Sequence, residues 1–111
     1  MKVKIMNVIG ASISVDIEMN DTPKEIIAKA IAQNDKSDVA IIFANEAALN
    51  DISEGKSEID TTMSNFALET KYGIAPLDWD IPIGKQVETQ INKIIREGYE
   101  VEFISAITQY V

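Results

Sequence analysis

The side chains best placed for chemistry in this chain are two carboxylates that flank its single tryptophan. Asp78 and Asp80 enclose Trp79 in the stretch Pro-Leu-Asp-Trp-Asp-Ile-Pro over residues 76–82. In an extended loop, side chains two positions apart share one side, so this pair could hold a Mg²⁺ ion with help from a phosphate. A single D-x-D pair with no further ligands is a weak signal. We therefore predict no metal, no cofactor and no catalytic residue. An enzyme that uses Asp78 and Asp80 to hold a metal ion is only the third hypothesis.

Two missing residue types narrow the possible chemistry further. The chain contains no cysteine, which excludes disulfides, thiolate catalysis and zinc-thiolate sites. It contains no histidine, the commonest general base and a frequent metal ligand. Serine-histidine and cysteine-histidine nucleophile pairs cannot be built from this chain alone. We therefore expect a protein that is not an enzyme.

Trp79 has two readings that do not involve catalysis. A tryptophan on a stiff loop between two prolines, with acidic neighbours, is typical of a binding anchor. The commoner alternative is a tryptophan that packs onto a sheet as a lid over the core. On the first reading, Trp79, Asp78 and Asp80 are candidate partner-binding residues.

The net charge of −8 is concentrated in the middle of the chain. Residues 35–82 contain ten acidic residues against three lysines, whereas residues 1–34 are balanced. Direct binding to nucleic acid is disfavoured, because phosphate-backbone affinity comes mainly from clustered Lys and Arg. A protein partner with a basic surface would be steered toward this segment. The alternative is a solvated surface that only promotes solubility.

Length and hydropathy predict one cytoplasmic domain. A chain of 111 residues is long enough to bury a single core. No run of 18 apolar residues predicts a membrane-spanning helix. The Met1–Lys4 start resembles a signal peptide, but polar residues interrupt the apolar stretch that follows, and the stretch ends at the acidic Asp16 and Glu18. We therefore expect no signal peptide and a cytoplasmic protein.

The first third of the chain predicts a hairpin and a helix. Residues 12–19 alternate between apolar and polar side chains, as in a half-buried strand, and residues 2–6 begin in the same way. Gly10 lies between them and suits a turn. Thr22, Pro23 and Glu25 form a capping-box start for a helix that fades near residue 33.

The remaining segments are less uniform. The apolar run 39–44 predicts an interior strand. Residues 57–72 fit a helix or a strand, and we favour the helix. Residues 73–82 predict a loop. Residues 83–97 predict a helix ended by Gly98, and a final strand over 99–108 is apolar on both faces near its end, which is typical of a central strand.

Residues 1–54 resemble ubiquitin. The residues that carry the resemblance are Gly10, Ile13, Val15, Ile17, Asp21-Thr22, Ala28-Lys29, Ile31, Asp35-Lys36 and Ile42-Phe43-Ala44. The resemblance implies an α+β fold, a ubiquitin-like β-grasp mixed sheet, with Ile42 to Ala44 as its third strand. Residues 55–98 would be an acidic, mainly helical insertion before the last strand at 99–111. The alternative is a ferredoxin-like or other α+β sheet.

The resemblance also implies a mode of action. The surface that contacts partners in ubiquitin corresponds here to Ile42 and Val8, although both could be core residues. The chain ends in Thr-Gln-Tyr-Val rather than in a Gly-Gly tail, so conjugation is not implied. We predict a small binding module that docks onto another protein. The second hypothesis is an acidic inhibitor of the kind that mobile elements encode, blocking the basic groove of a nucleic-acid-binding protein.

Overall fold

The fold is a mixed sheet with three helices in the part of the chain that the computed structural model describes, residues 1–7, 10–43 and 65–106. In chain order the elements are β1 (Lys2–Met6), β2 (Ser12–Asp16), α1 (Pro23–Gln33), α2 (Lys36–Phe43), β3 (Asn65–Thr70), β4 (Gly73–Pro76), α3 (Ile83–Arg96) and β5 (Glu102–Ala106). The predicted α+β class is confirmed. Among the described residues, no helix has both the length and the apolar character needed to cross a membrane.

The sheet has the strand order β2-β1-β5-β3-β4. β1 pairs with β5 in parallel, and the other neighbours are antiparallel. The predicted hairpin is present, with Val3 opposite Val15 and Ile5 opposite Ile13. The final strand lies at the centre, as its apolar character on both faces predicted.

One face of this sheet carries the core. Alternate side chains of the strands point to that face and pack with the buried sides of the helices in one hydrophobic cluster. The largest fully buried members include Phe66, Phe103, Ile5, Leu68 and Ile91. All three helices contribute buried residues to this cluster, so their apolar sides pack on the same face.

Helix α1 begins where the sequence predicts. The Thr22 hydroxyl accepts a hydrogen bond from the Glu25 backbone N–H at 3.2 Å, and the Glu25 carboxylate accepts one from the Thr22 N–H at 3.4 Å. Pro23 occupies the first turn, where a missing N–H costs nothing. The helix then buries Ile26 and Ile27 against the sheet.

The loop before α1 also holds the start of α3. Asp21 is buried, and its carboxylate accepts hydrogen bonds from the Glu18 N–H at 2.8 Å and from the Lys29 Nζ at 2.6 Å. The hydrogen bond with Asp21 raises the pKa of Lys29. The Asp21 carbonyl accepts from the Ile83 N–H at 2.9 Å, so one residue joins the loop to both helices.

The prediction of a strand over residues 39–44 is wrong. Residues 36–43 form helix α2, whose Val39 and Ile42 are three positions apart and both buried. A short continuous apolar run fits a buried helix as well as a buried strand, because every position is apolar under either period. Ile42 and Phe43 lie in helix α2, so the match of Ile42-Phe43-Ala44 to a third strand is also wrong for these two residues. Ala44 lies outside the described residues.

The region from 55 to 98 contributes to the sheet itself. The preferred helix over 57–72 is wrong where it can be compared, because residues 65–70 form β3; residues 57–64 lie outside the described part. Residues 73–76, predicted as loop, form β4. The helix over 83–97 is confirmed within one residue, and Gly98 has the expected left-handed φ of 83°. The described part of this region therefore consists of two strands of the sheet and a helix.

Candidate functional site

The loop with the acidic pair holds Trp79 inward. The Trp79 side chain is 5% exposed, and its ring centroid lies 5.6 Å from that of Phe66 in the core. Its backbone carbonyl accepts a hydrogen bond from the Lys24 N–H at 3.4 Å. The arrangement corresponds to the lid that the sequence left open as the alternative to a binding anchor.

Asp78 and Asp80 are both exposed and both take part in local bonds. The Asp78 Oδ1 accepts from the Asp80 N–H at 2.9 Å, and the Asp78 N–H donates to the Gln86 side chain at 2.8 Å. The Asp80 Oδ1 lies 2.9 Å from the Lys24 Nζ. Their carboxylates thus order the loop and tie it to α1. The described residues contain no group of three or more acidic side chains placed to hold a metal ion.

Of the other two predicted contact residues, the structure describes Ile42. Ile42 is 5% exposed and packs in the core. Val8 lies outside the described residues, so the docking surface that pairs it with Ile42 stays a prediction.

Two exposed tyrosines mark a different site. Tyr72 is 82% exposed and Tyr99 is 69% exposed, and both line a groove of about 530 Å³. The groove runs between the turn that joins β3 to β4 and the C-terminal half of α3, and the start of β5 adds Glu102. We call it the tyrosine groove.

The turn beside the groove positions Tyr72. Residues 71 and 72 connect β3 to β4, and Gly73 follows with a φ of 122°, a conformation that favours glycine. The Thr70 hydroxyl donates to the Gly73 carbonyl at 2.7 Å and accepts from the Tyr72 N–H at 3.2 Å. Tyr72 is therefore presented at the tip of a hydrogen-bonded turn.

The end of α3 positions Tyr99. The Gly98 N–H donates to the Ile95 carbonyl at 3.0 Å, and the Tyr99 N–H donates to the Ile94 carbonyl at 3.1 Å. These two bonds around a left-handed glycine form a Schellman motif, in which the residue after the glycine commonly contacts the last turn of the helix. Ile94 lines the same groove as Tyr99.

The charged groups of the tyrosine groove are unequal in number. Four glutamates line it, Glu69, Glu97, Glu100 and Glu102, against Lys71 and Lys93. Glu100 is paired with the Lys4 Nζ at 3.1 Å. The Nζ atoms of Lys71 and Lys93 lie 5.3 and 5.9 Å from the centroid of the Tyr72 ring, within cation–π range.

Sequence reasoning missed this site, although part of the signal was available. Gly98 was recognised as a helix cap, which places residue 99 against the last turn of the helix. The sequence does not place Tyr72 in the groove, because it predicts a helix up to residue 72 and a loop from residue 73 instead of the β3–β4 hairpin. Without that hairpin, nothing brings the two tyrosines together.

Comparisons with known proteins add no family to this description: no protein-family model, no curated protein and no solved structure matches the chain. The description of the fold is therefore based on the topology of the sheet alone. A five-stranded mixed sheet with helices is compatible with a β-grasp-like α+β fold.

Proposed function

We propose that this protein is a small, non-enzymatic, cytoplasmic binding module that docks onto another protein through the tyrosine groove. One observation carries the proposal. Tyr72 and Tyr99 are both exposed and converge on one groove, whereas Phe66, Phe103 and Trp79 are buried.

The rings of Tyr72 and Tyr99 are suited to a protein interface. Tyrosine is enriched at protein interfaces because its ring buries a large apolar area with few rotatable bonds and keeps a polar tip. Hydrogen bonds of the β3–β4 turn and of the α3 cap fix the backbone of both residues, so little backbone entropy is lost when the rings are covered.

We further propose that the fold is a ubiquitin-like β-grasp. Support comes from the first hairpin and the capped helix, from the parallel pairing of β1 with β5, and from the ion pair between Asp21 and Lys29, two residues of the ubiquitin resemblance. In this arrangement β3 and β4 follow α1 and α2 in the chain, and the proposed site of action is the groove beside them.

Affinity capture from the host tests the proposal. The tagged protein is compared with the double variant Tyr72→Ser/Tyr99→Ser and with Ile81→Ser. Ile81 is an exposed apolar side chain of the Trp79 loop, outside the groove. We expect a protein partner to be recovered with the parent and with Ile81→Ser, and lost with the double variant. A partner retained by the folded double variant would refute docking through the groove, and one lost with Ile81→Ser alone would move the surface to the Trp79 loop.

The second candidate function is an acidic inhibitor that occupies the basic groove of a nucleic-acid-binding protein. The observation that favours it is the acidic surplus of residues 35–82, which contain ten acidic residues against three lysines. Five of the ten acidic residues (46, 51, 54, 58 and 60) lie outside the described part. It predicts that a captured partner is released by salt and competes with DNA or RNA for this protein. Binding that is insensitive to salt would exclude it.

A further inference from the structure

We propose that the tyrosine groove binds a basic side chain, an arginine or a lysine, that a partner protein inserts between its carboxylates and the Tyr99 ring. This inference rests on the proposed docking function and names the chemistry of the residue recognised.

The first observation is a like-charge pair in the sheet. The pairing of β3 with β5 ends at Leu68 opposite Phe103, and continuing this register by one residue brings Glu69 beside Glu102, which itself lies opposite Lys4. Carboxylates directly opposite on neighbouring strands repel each other. Lys4 is the nearest cation in this row, but its Nζ is bonded to Glu100. The described residues therefore leave Glu69 and Glu102 without an ion-pair partner.

The second observation is that one oxygen of the Glu69 carboxylate, Oε2, is buried and has no hydrogen-bond partner in the described structure. A buried carboxylate oxygen without a donor is costly, and a charged donor is the group that relieves it best. Glu69 lines the groove and its side chain is partly exposed, so a rotation of the carboxylate would bring Oε2 to a donor that a partner inserts.

The third observation is that, among the described residues, cations lie beside the Tyr72 ring but not beside the Tyr99 ring. The Tyr72 ring already has the protein's own Lys71 and Lys93 within cation–π distance. The Tyr99 ring has no cation over it among the described residues and is 69% exposed. An incoming guanidinium or ammonium group can therefore stack on Tyr99 while it approaches the glutamates.

The charge balance of the lining selects the sign of the ligand. Glu69, Glu97 and Glu102 form no ion pair within the described part, and the two lysines of the lining are placed at Tyr72. An anionic ligand would meet this carboxylate surplus, so the groove favours a cation.

The probe for this inference is the synthetic peptide acetyl-Gly-Arg-Gly-Arg-Gly-amide. Its matched control carries citrulline, the neutral urea counterpart of arginine, at both arginine positions. Each peptide is titrated into the isotope-labelled full chain, and the backbone amide shifts are followed by NMR. We expect the arginine peptide to shift the amides of Glu69, Tyr99 and Glu102, and the citrulline peptide to bind at least about fivefold more weakly.

Variants of the chain localise the effect. Glu69→Gln is expected to weaken binding of the arginine peptide by about tenfold, the loss typical of one charge-assisted hydrogen bond. Glu88→Gln removes the same charge from the exposed side of α3, outside the groove, and is expected to change binding by less than about twofold.

Three results would overturn the inference. They are equal binding of the two peptides, shifts centred away from the groove or absent at millimolar peptide, and equal effects of Glu69→Gln and Glu88→Gln. The proposed docking function fails separately. If capture of the partner depends on the tyrosines but is unaffected by Glu69→Gln, the groove still docks a protein and only the basic side chain is wrong.

Discussion

Replacing Trp79 with alanine should cost this protein a large part of its stability. Trp79 is 5% exposed and packs against Phe66, so nearly all of its side chain is removed from water in the folded state. If Trp79 were a surface anchor, the same substitution would impair binding and leave folding almost unchanged. The free energy of unfolding therefore distinguishes the two readings of this residue.

The magnitude follows from the buried area. A buried tryptophan removes roughly 200 Å² from water, which at about 25 cal/mol per Å² corresponds to about 5 kcal/mol. The loss on truncation to alanine is expected at about 3–5 kcal/mol, since the surrounding core relaxes only partly into the cavity. At roughly 4–8 °C per kcal/mol for a domain near this size, the melting temperature should fall by at least about 12 °C.

Urea unfolding followed by far-UV circular dichroism provides the assay, because the variant has no tryptophan to report by fluorescence. Tyr72→Ala is the matched control, since this aromatic side chain is 82% exposed, and it should cost less than about 1 kcal/mol. A loss below about 1 kcal/mol for Trp79→Ala, or equal losses for the two variants, would refute the placement of Trp79 in the core.

Three further substitutions test other contacts. Gly84→Ala should destabilise the fold by about 1–3 kcal/mol in urea unfolding, although alanine normally favours a helix, because the added Cβ would lie 2.9 Å from the Met19 carbonyl oxygen. Ser105→Ala should leave the unfolding free energy unchanged or raise it by about 1 kcal/mol, since the Ser105 hydroxyl is buried without a hydrogen-bond partner in the described structure. Lys29→Met should lower the urea midpoint near neutral pH but not at strongly alkaline pH. The hydrogen bond with Asp21 raises the pKa of Lys29 above its usual 10.5, so its stabilising effect is complete below that value and is lost as the pH rises through the folded-state pKa.

Each of these expectations has an opposite outcome. A stabilised Gly84→Ala variant would mean that the first turn of α3 does not lie against Met19; Lys85→Ala, at the next and exposed position, is its control. A loss of more than about 1 kcal/mol in Ser105→Ala would show that the hydroxyl is bonded. A Lys29→Met deficit that stays constant through the alkaline range would show that packing of the stem, rather than the charge, stabilises this position.

The sequence predicts those parts of the fold that depend on residues close together in the chain. The capping box at Thr22 and the glycine cap at Gly98 are read within a few residues, and the structure has both. The run 39–44 carries no periodicity, so contacts with the rest of the core decide that it belongs to a helix. The sequence does not predict β3 as a strand, because its pairing with β5 joins residues far apart in the chain, such as Leu68 and Phe103. β4 in turn forms only when β3 is there to pair with it.

The sequence alone determined the class of the fold, its first hairpin, the start of α1 and the end of α3, because alternation and capping act between near neighbours. It also shows that any chemistry of this chain would have to use side chains other than histidine and cysteine. The tertiary structure decided which aromatic side chains face water. Trp79 packs inward against Phe66 in the hydrophobic cluster, while Tyr72 and Tyr99 meet in one groove only because the β3–β4 turn lies beside the end of α3.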